Sequence, residues 1–290
     1  MRERYQRIQA MEREFCLSLL CGAFEVSRSG YYAWRQRRPC ARQQTNGLLV
    51  EEIKLLRQGQ EVCYGSPRMA QELRARGHAC SENRVARLMR KHGLQAQAPT
   101  RFVPCTTDSN HDLPVAPNRL AQGSRPDGPN QVWLQDITYV RTGQGWLYLA
   151  LVLDLWSRKI VGWAMAEHLR SELVVAALQM AQTQRQPDKG LVVHSDRGIQ
   201  YASNQTRQFL EEHGWLASMS RTANPYDNAW MESAIGKLKN EVLGRRLPAD
   251  HTSAKQQLFV GIECWYNQRR RHSALNYKSP VAFETQFMKN

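Results

Sequence analysis

The sequence predicts an all-α region followed by an α/β region, a mixed five-stranded sheet flanked by helices. Three observations support this prediction. Apolar residues recur at helical spacing up to about residue 94, a stretch rich in Pro and Gly follows, and β-rich runs alternate with helical segments from residue 131 onward. The predicted domains are residues 1–98, a linker over residues 99–129, and residues 130–290.

Residues 5–38 predict a first helix-turn-helix unit. An apolar segment, FCLSLLCGAF, is followed after Ser27 by a segment that is both basic and aromatic. A helix of this composition can lie in a groove of DNA or along its phosphates, although a small helical bundle with aromatic core residues is the alternative. The candidate DNA contacts are Arg28, Tyr31, Tyr32 and Arg35.

Residues 46–94 predict a second helix-turn-helix unit. A helix over residues 48–58 precedes a helix capped by Ser66, and a third helix is capped by Ser81 and ends at Gly93. This unit is expected either to contact DNA or to pack against the following domain. Its candidate DNA contacts are Arg84 and Arg87.

The charge balance favours a polyanionic partner. The chain has 40 Lys+Arg against 26 Asp+Glu, a net charge of +14, and residues 1–104 hold 19 of the basic residues but only 9 of the acidic ones. Nucleic acid is therefore a better match than an acidic protein or a membrane surface. The sequence has no apolar run of the ~20 residues that cross a bilayer, and its N-terminus lacks the apolar core of a secretory signal, so a cytoplasmic location is expected. Seven cysteines without a CxxC pair indicate neither a disulfide framework nor a zinc knuckle.

The α/β region begins with three predicted antiparallel strands, near residues 131–140, 146–155 and 160–165. A helix from residue 171, a strand at Leu191, a helix over residues 204–213 and a strand over residues 216–219 follow. The C-terminal segment continues as a helix over residues 252–267.

Three acidic residues stand out in this region. Asp136 interrupts the first strand, and Asp196 ends the apolar strand at Leu191. Glu232 lies early in an amphipathic helix, and 35 residues separate it from Asp196. Each acid alone also fits an ordinary role, in a loop, at a helix start or as a hydrogen-bonded strand residue. Asp136 can meet Asp196 if their strands are neighbours, and Asp154 is a rival for its place.

Three gathered carboxylates would repel one another unless a cation held them. A hard divalent ion, Mg²⁺ or Mn²⁺, prefers oxygen ligands, and two such ions about 4 Å apart suit the in-line displacement of a phosphodiester. No Gly-rich phosphate loop is present, so ATP is not implied. The helix of Glu232 also carries the basic residues Lys237 and Lys239, and Lys239 falls on the face of Glu232.

A basic run follows the C-terminal helix. This run either binds the phosphate backbone of DNA or forms a solvated helix end. Its candidate DNA contacts are Arg269, Arg270 and Arg271.

Four motifs together resemble a known family: WLQDITYV, HSDRGIQY, SMSRTANPYDNAWMES and YNQRRRHSALNYKSP. They are similar to those of the second-frame transposase of the third insertion-sequence family of bacteria, in the DDE retroviral-integrase superfamily. The resemblance implies an RNase H-like catalytic core with Asp136, Asp196 and Glu232 as metal-binding and catalytic acids, and Lys239 as a contact to the transposon end. Gln135 and Ile199 depart from the family's usual residues without removing a ligand.

The resemblance further implies metal-dependent cleavage at transposon ends and strand transfer, with duplex DNA of terminal repeats and target as partner. It implies an oligomer on paired ends, a nucleoid location when bound to DNA, and action with an upstream-frame helix-turn-helix and leucine-zipper protein, since no zipper heptads open this chain. A catalytically silent DNA-binding regulator and an RNase H-type ribonuclease are the alternatives. Metal-dependent cleavage of duplex DNA would distinguish the transposase from both.

Overall fold

The computed structural model describes residues 1–96, 113–121, 125–221, 228–244 and 247–289. The chain forms two compact units, Met1–Glu52 and Ile53–Asn290. Most of the predicted linker, residues 99–112 and 122–124, lies outside the described residues. The predicted domain boundaries at residues 98 and 129 therefore stay a prediction.

The first unit is helical. It contains α1 (Arg2–Met11), α2 (Leu17–Ala23), α3 (Arg28–Arg35) and the first part of α4 (Ala41–Leu56), which continues into the second unit. The predicted pair of helices corresponds to α2 and α3. Helix α1 was not expected because it buries a single residue, Ile8, and so lacks an apolar stripe that a sequence pattern could reveal.

The second unit begins with two further helices, α5 (Ser66–Ala75) and α6 (Glu82–Lys91). The predicted cap of α6 is confirmed, since Ser81 Oγ accepts a hydrogen bond from the Arg84 backbone N–H at 3.3 Å. The predicted cap of α5 is wrong by one residue. Gly65 is the N-cap, and Ser66 is already helical because Pro67 fixes the first turn.

A mixed five-stranded sheet forms the centre of the second unit, as predicted. Its strands are β1 (Val132–Thr142), β2 (Gly145–Asp154), β3 (Ile160–Ala166), β4 (Val192–Ser195) and β5 (Leu216–Met219). The spatial order is β3-β2-β1-β4-β5, with antiparallel pairing from β1 to β3 and parallel pairing of β1, β4 and β5. The change from antiparallel to parallel neighbours falls at β1.

Helices cover both faces of the sheet. One face carries α7 (Ser171–Arg185), the short α8 (Ile199–Ala202) and α9 (Asn204–Glu212), and the other carries α10 (Ala229–Leu238) and α11 (His251–Val260). Successive β1 residues alternate between these faces, so Trp133 packs with α7 whereas Leu134 packs with α10. A Cβ at Gly162 would collide with the Ala177 carbonyl, so glycine lets α7 lie directly on β3.

The C-terminal part of the second unit departs from regular α-helix at two points. A π-helical turn, Lys239–Leu243, continues α10, and another, Gly261–Tyr266, continues α11. Helix α12 (Pro280–Phe287) follows. Within the described ranges, no helix has the length and apolar character needed to cross a membrane.

Candidate active site

Asp136 lies on β1, and Asp196 directly follows the adjacent parallel strand β4. The pairing of β1 with β4 ends at Leu134 and His194. Asp136 and Asp196 each follow that last pair by two residues. Neighbouring strands lie ~4.8 Å apart. β1 and β4 are therefore neighbours in the sheet, as predicted. Their pairing brings the carboxylates of Asp136 and Asp196 close to each other at the C-terminal end of β4.

Asp136 points to the α10 face of the sheet and is half-buried. Its Oδ1 accepts a hydrogen bond from the Ile137 backbone N–H at 2.8 Å. Burial raises the pKa of Asp136 well above its usual value, the charge of Asp196 raises it further, and Glu232 adds a smaller contribution in the same direction. Lys239 acts in the opposite direction on this pKa. The site therefore concentrates more negative charge than one lysine balances.

A glycine sets the orientation of Asp196. Asp196 Oδ1 accepts a hydrogen bond from the Gly198 backbone N–H at 2.9 Å, just before α8. A Cβ at position 198 would lie 3.1 Å from Asp196 Oδ1 and 3.1 Å from Gln200 Oε1. Glycine therefore lets this backbone approach the carboxylate closely and hold it at the end of β4.

Glu232 lies exposed in the first turn of α10. A negative charge there interacts favourably with the helix dipole, the ordinary role that the sequence also allowed. Its carboxylate is near enough to act on the pKa of Asp136. It does not complete a metal site as it stands, because no three His, Cys, Asp or Glu side chains of the described residues lie close enough to hold an ion.

Lys237 and Lys239 have different surroundings. Burial lowers the pKa of Lys239 to about 8, and Asp136 acts against that change. Burial also lowers the pKa of Lys237 to about 8, but the further contributions there come first from Arg270 and then from Arg68. Two residues correspond to about 200° around a helix. Lys239 therefore belongs to the acidic site, and Lys237 to a separate group of cations.

The donor set of the acidic site fits a divalent metal ion in part. Asp136 and Asp196 offer carboxylate oxygens, the donors that Mg²⁺ and Mn²⁺ prefer, and their mutual repulsion is the kind that a bound cation relieves. Glu232 lies outside that pair in this structure. The residues 222–227 that precede α10 are outside the described part of the chain.

Asp154, the rival of Asp136, has a structural role. It is fully buried, its Oδ2 accepts the Asn130 backbone N–H at 2.7 Å, and its Oδ1 accepts the backbone N–H of Ser157 at 2.8 Å and its hydroxyl at 3.0 Å. Burial raises the pKa of Asp154, and these hydrogen bonds oppose the increase. Asp154 therefore stabilises the turn after β2.

Two side chains beside the acids were not predicted. The Tyr201 hydroxyl on α8 is buried, and its pKa is raised well above the usual value by burial and then by Asp136 and Asp196, whereas a hydrogen bond with the Ile137 backbone opposes the increase. Gln135 Oε1, buried without a partner, lies on the opposite face of β1 from Asp136. An isolated Tyr or Gln carries no sequence signal of such a position.

The first unit contradicts one predicted DNA contact. Tyr31 is completely buried in the core of this unit, and its hydroxyl donates a hydrogen bond to Glu12 Oε2 at 2.6 Å, so DNA cannot reach it. Arg35 pairs with the same carboxylate at 2.9 Å but remains half-exposed. Arg28 and Tyr32 are exposed.

Helix α6 carries the candidate contacts of the second predicted unit. Arg87 is exposed and Arg84 is half-buried. The apolar face of α6 buries Val85, Leu88 and Met89, as the sequence pattern predicted. The DNA contacts of Arg84 and Arg87 stay a prediction.

The three C-terminal arginines have three different environments. Arg270 is buried and binds Glu241 through Nε at 2.6 Å and Nη2 at 2.7 Å, so its predicted phosphate contact is wrong. Arg271 Nε donates to Glu72 Oε2 at 2.6 Å, which joins the C-terminal segment to α5 and occupies much of its guanidinium. Arg269 is exposed. Only Arg269 therefore keeps the surface position that the sequence predicted for all three.

Comparison with solved structures shows distant likenesses to integrases. A simian T-cell lymphotropic virus intasome matches 76% of this chain and 70% of its own with a TM-score of 0.47 and 15% identity. The HTLV-2 integrase catalytic core domain in complex with magnesium matches 55% of this chain and 99% of its own with a TM-score of 0.44 and 18% identity.

Models of known domain families match three ranges of the chain, which together cover most of the second unit. Residues 126–225 and 213–280 each match an integrase core domain. Residues 43–102 match an HTH-like domain, which covers the second predicted helix-turn-helix unit. The first predicted unit stays a prediction.

Relatives extend over nearly the whole chain. An insertion element IS600 31 kDa protein from Shigella sonnei is 44% identical over 268 residues, covering 92% of this chain and 98% of its own. The transposase InsF of insertion sequence IS3A from Escherichia coli is 39% identical over 283 residues, covering 97% of this chain and 98% of its own. The chain therefore belongs to the IS3-family transposases, DDE polynucleotidyl transferases with an integrase core that act in DNA transposition.

Proposed function

We propose that Asp136, Asp196 and Glu232 are the catalytic acids with which this transposase cleaves transposon ends and transfers strands. The observation that carries the proposal is the juxtaposition of Asp136 and Asp196 across the parallel pair β1 and β4. The raised pKa of Asp136, with contributions from Asp196 and Glu232, supports a common site for the three carboxylates.

The same acids are the proposed ligands of Mg²⁺ or Mn²⁺, two ions in the complete site. When bound, these ions supply the positive charge that stabilises the attacking and leaving oxygens of a phosphodiester displacement. The geometry supports Asp136 and Asp196 as one pair of ligands. Glu232, exposed on the first turn of α10, is proposed to complete the site when the DNA end is bound.

The reaction proceeds in two displacements. A water oxygen attacks the phosphorus at the transposon end, the bond from phosphorus to the 3′ oxygen breaks, and that oxygen takes up a proton to become a 3′-hydroxyl. The hydroxyl then loses its proton as it attacks a second phosphodiester, whose own 3′ oxygen leaves. The carboxylates orient the reacting oxygens, and no covalent enzyme intermediate forms.

Lys239 is the proposed contact to the phosphate backbone of the transposon end. Its ammonium lies near Asp136, and the residue is half-buried at the start of the π-helical turn that continues the helix of Glu232. A cation in this position can bind a phosphate beside the scissile bond and offset the charge of the acids. The exposed or half-buried positions of several other candidate side chains support further backbone contacts with duplex DNA. The proposed contacts are Arg28, Tyr32, Arg35, Arg84, Arg87, Lys237 and Arg269.

We also propose that several copies assemble on paired transposon ends and on target DNA. An upstream-frame protein with a leucine zipper, or its fusion to this chain, is the proposed second partner. The support for both is membership in the IS3 family.

The test is strand transfer by the purified chain on duplex DNA that carries its own element ends. Asp196→Asn and Glu232→Gln should each lose strand transfer by at least about a thousandfold in Mg²⁺, because each removes a negative charge from the metal site. Asp188→Asn, a change at an exposed acid outside the site, is the matched control and should keep wild-type activity. If Asp196→Asn and Glu232→Gln also keep that activity, the proposed mechanism is wrong.

A further inference from the structure

A second group of side chains lies around Lys237. Arg68 comes from α5, Arg158 from the turn between β2 and β3, Lys237 from α10, and His272 from the segment after α11. All four belong to the second compact unit. The charges of Arg68 and Arg158 act on both Lys237 and His272, so the four side chains share one region.

Aromatic contacts hold this group in place. The Arg68 guanidinium lies 5.8 Å from the ring centre of Tyr64, and that of Arg158 lies 5.4 Å from the ring centre of Trp230. The His272 ring packs edge-on against Tyr266, with 5.0 Å between ring centres. The cationic side chains are therefore fixed by packing before any ligand arrives.

Three nitrogen atoms of the group are buried without a hydrogen-bond partner: Arg68 Nε, Arg158 Nη1 and His272 Nε2. Buried polar atoms in folded proteins nearly always have a partner, and leaving one unpaired costs free energy. A guanidinium nitrogen can only donate, and a neutral imidazole donates in the tautomer with hydrogen on Nε2. The group therefore offers several donors that the protein itself does not satisfy.

The negative charges nearby are already used. Asp154, which acts on the pKa of Arg158, accepts hydrogen bonds from Asn130 and Ser157. Glu241 acts on the pKa of Lys237 and of Arg68, but Arg270 binds both of its carboxylate oxygens, at 2.6 and 2.7 Å. Arg68, Arg158 and Lys237 thus form a half-buried excess of positive charge. Such an excess destabilises a folded protein unless an anion compensates it.

Arg158 also has an unfavourable backbone conformation. Its φ is +61°, in the left-handed region that favours glycine. A residue other than glycine at such a position in a turn is retained at some cost in stability. Here the turn directs a guanidinium over Trp230, toward the group that contains Lys237.

We propose that Arg68, Arg158, Lys237 and His272 form a phosphate-binding pocket that holds one phosphodiester group of the bound DNA. Arg68, Arg158 and Lys237 are half-buried, whereas His272 is buried. Two guanidinium groups and an ammonium group suit a tetrahedral oxyanion, which accepts several hydrogen bonds at once. Duplex DNA is the source of phosphate that a transposase meets. The pocket does not require the assignment of the catalytic acids.

The pocket is distinct from the acidic site on the same helix. Lys239 acts on Asp136, whereas Lys237 lies about 200° away around α10 and faces the arginines. Helix α10 therefore lies between two points of contact with DNA. The pocket would hold the strand away from the phosphate that reacts and so set its register.

The first experiment measures how the affinity for an element-end duplex falls with NaCl concentration, using the full chain without divalent metal. Arg158→Met and Lys237→Met should each weaken binding about tenfold, because each removes a charged hydrogen-bond donor. The log of the affinity falls linearly with the log of the salt concentration. In the double variant this line should be less steep by about 0.9, the value for one phosphate. Lys189→Met, at an exposed lysine after α7, is the control and should match wild type.

A wild-type slope for the double variant would overturn the proposal. A decrease of about 1.8 in the steepness of the salt dependence would also overturn the proposal, because Arg158 and Lys237 would then contact separate phosphates. Both variants should melt at or above the wild-type temperature without DNA, since each removes a crowded charge. A clear drop in melting temperature would instead indicate structural roles.

The second experiment identifies the source of the phosphate. Inorganic phosphate should raise the melting temperature of the wild type, but not of the double variant, relative to NaCl at equal ionic strength. If inorganic phosphate leaves the melting temperatures of both proteins unchanged while the salt dependence of DNA binding is less steep by about 0.9 in the double variant, the pocket accepts a phosphodiester of DNA specifically. An equal rise in both proteins would contradict the pocket.

Discussion

Asp136 on β1 and Asp196 just after β4 each lie two residues beyond Leu134 and His194, the last pair of these parallel strands. β1 is the strand at which the sheet changes from antiparallel to parallel pairing, so it presents Asp136 beside the end of β4. The crowding of two carboxylates at this point, with Glu232 near them, has consequences for stability as well as for catalysis.

Asp136→Asn should stabilise the metal-free protein, increasingly so at higher pH. The folded pKa of Asp136 is raised above its ordinary value of 3.8 by burial and by Asp196. The folded state therefore holds a proton that the unfolded state has lost, and wild-type stability falls as pH rises from 3.8 through the folded pKa. Urea unfolding between pH 4 and pH 8 in EDTA measures this difference. A variant no more stable than wild type at pH 8 would contradict it.

Lys237→Met should stabilise the DNA-free protein at pH 7 by on the order of 1–3 kcal/mol. Burial lowers the pKa of Lys237 from 10.5 to about 8, so carrying its charge opposes folding below pH 8. The gain should shrink as pH rises from 8 toward 10.5, where the unfolded lysine also loses its proton. Urea unfolding at pH 7 and pH 9.5 tests both statements, with Lys189→Met as control. A gain that is equal at the two pH values would count against burial as its cause.

Arg270→Met should destabilise the protein by about 3–5 kcal/mol, because it leaves the Glu241 carboxylate buried without its cation and with the Trp265 indole N–H as its remaining donor. Adding Glu241→Gln should recover most of that loss. Denaturant unfolding of the two single variants and the double variant measures the coupling. Arg269→Met, at the exposed neighbour, should leave stability unchanged. If the double variant lost as much unfolding free energy as the two single variants together, Arg270 and Glu241 would not act as a pair.

Asp154→Ala should destabilise the protein by about 3 kcal/mol, since it leaves the Asn130 and Ser157 donors buried without an acceptor. The matched change Asp188→Ala, at an exposed acid, should have little effect. Urea unfolding compares the two. A loss no greater than that of the control would remove the argument that Asp154 is a structural acid.

Much of the sheet could be predicted because its strands are rich in β-forming residues and are separated by clear turns. The sequence also singled out Asp136, Asp196 and Glu232 as candidate acids, but the closeness of Asp136 to Asp196 depends on the pairing of β1 with β4 across some sixty residues of chain. That pairing is a property of the folded sheet. Tyr201 was missed for the same reason, because its hydroxyl approaches the acids through tertiary packing alone.

Which of the candidate DNA-contact residues are exposed could not be predicted from the sequence. Tyr31 and Tyr32 are adjacent in a basic, aromatic helix, and only the packing of the first unit decides that Tyr31 is buried. Arg269, Arg270 and Arg271 look equivalent in sequence, yet Glu241 on the π-helical turn after α10 takes Arg270 into the interior. A run of basic residues predicts positive charge but not which residues face the solvent.

Direct binding of the catalytic metal ion by Asp136, as proposed, can be tested by strand transfer with Asp136→Cys in Mg²⁺ and in Mn²⁺. Mg²⁺ binds oxygen ligands almost exclusively, whereas Mn²⁺ tolerates a thiolate better. The variant should be inactive in Mg²⁺ and regain strand transfer in Mn²⁺, while Asp136→Ala stays inactive in both. Equal behaviour of Asp136→Cys and Asp136→Ala in both metals, or activity of Asp136→Ala in Mg²⁺, would contradict direct coordination by Asp136.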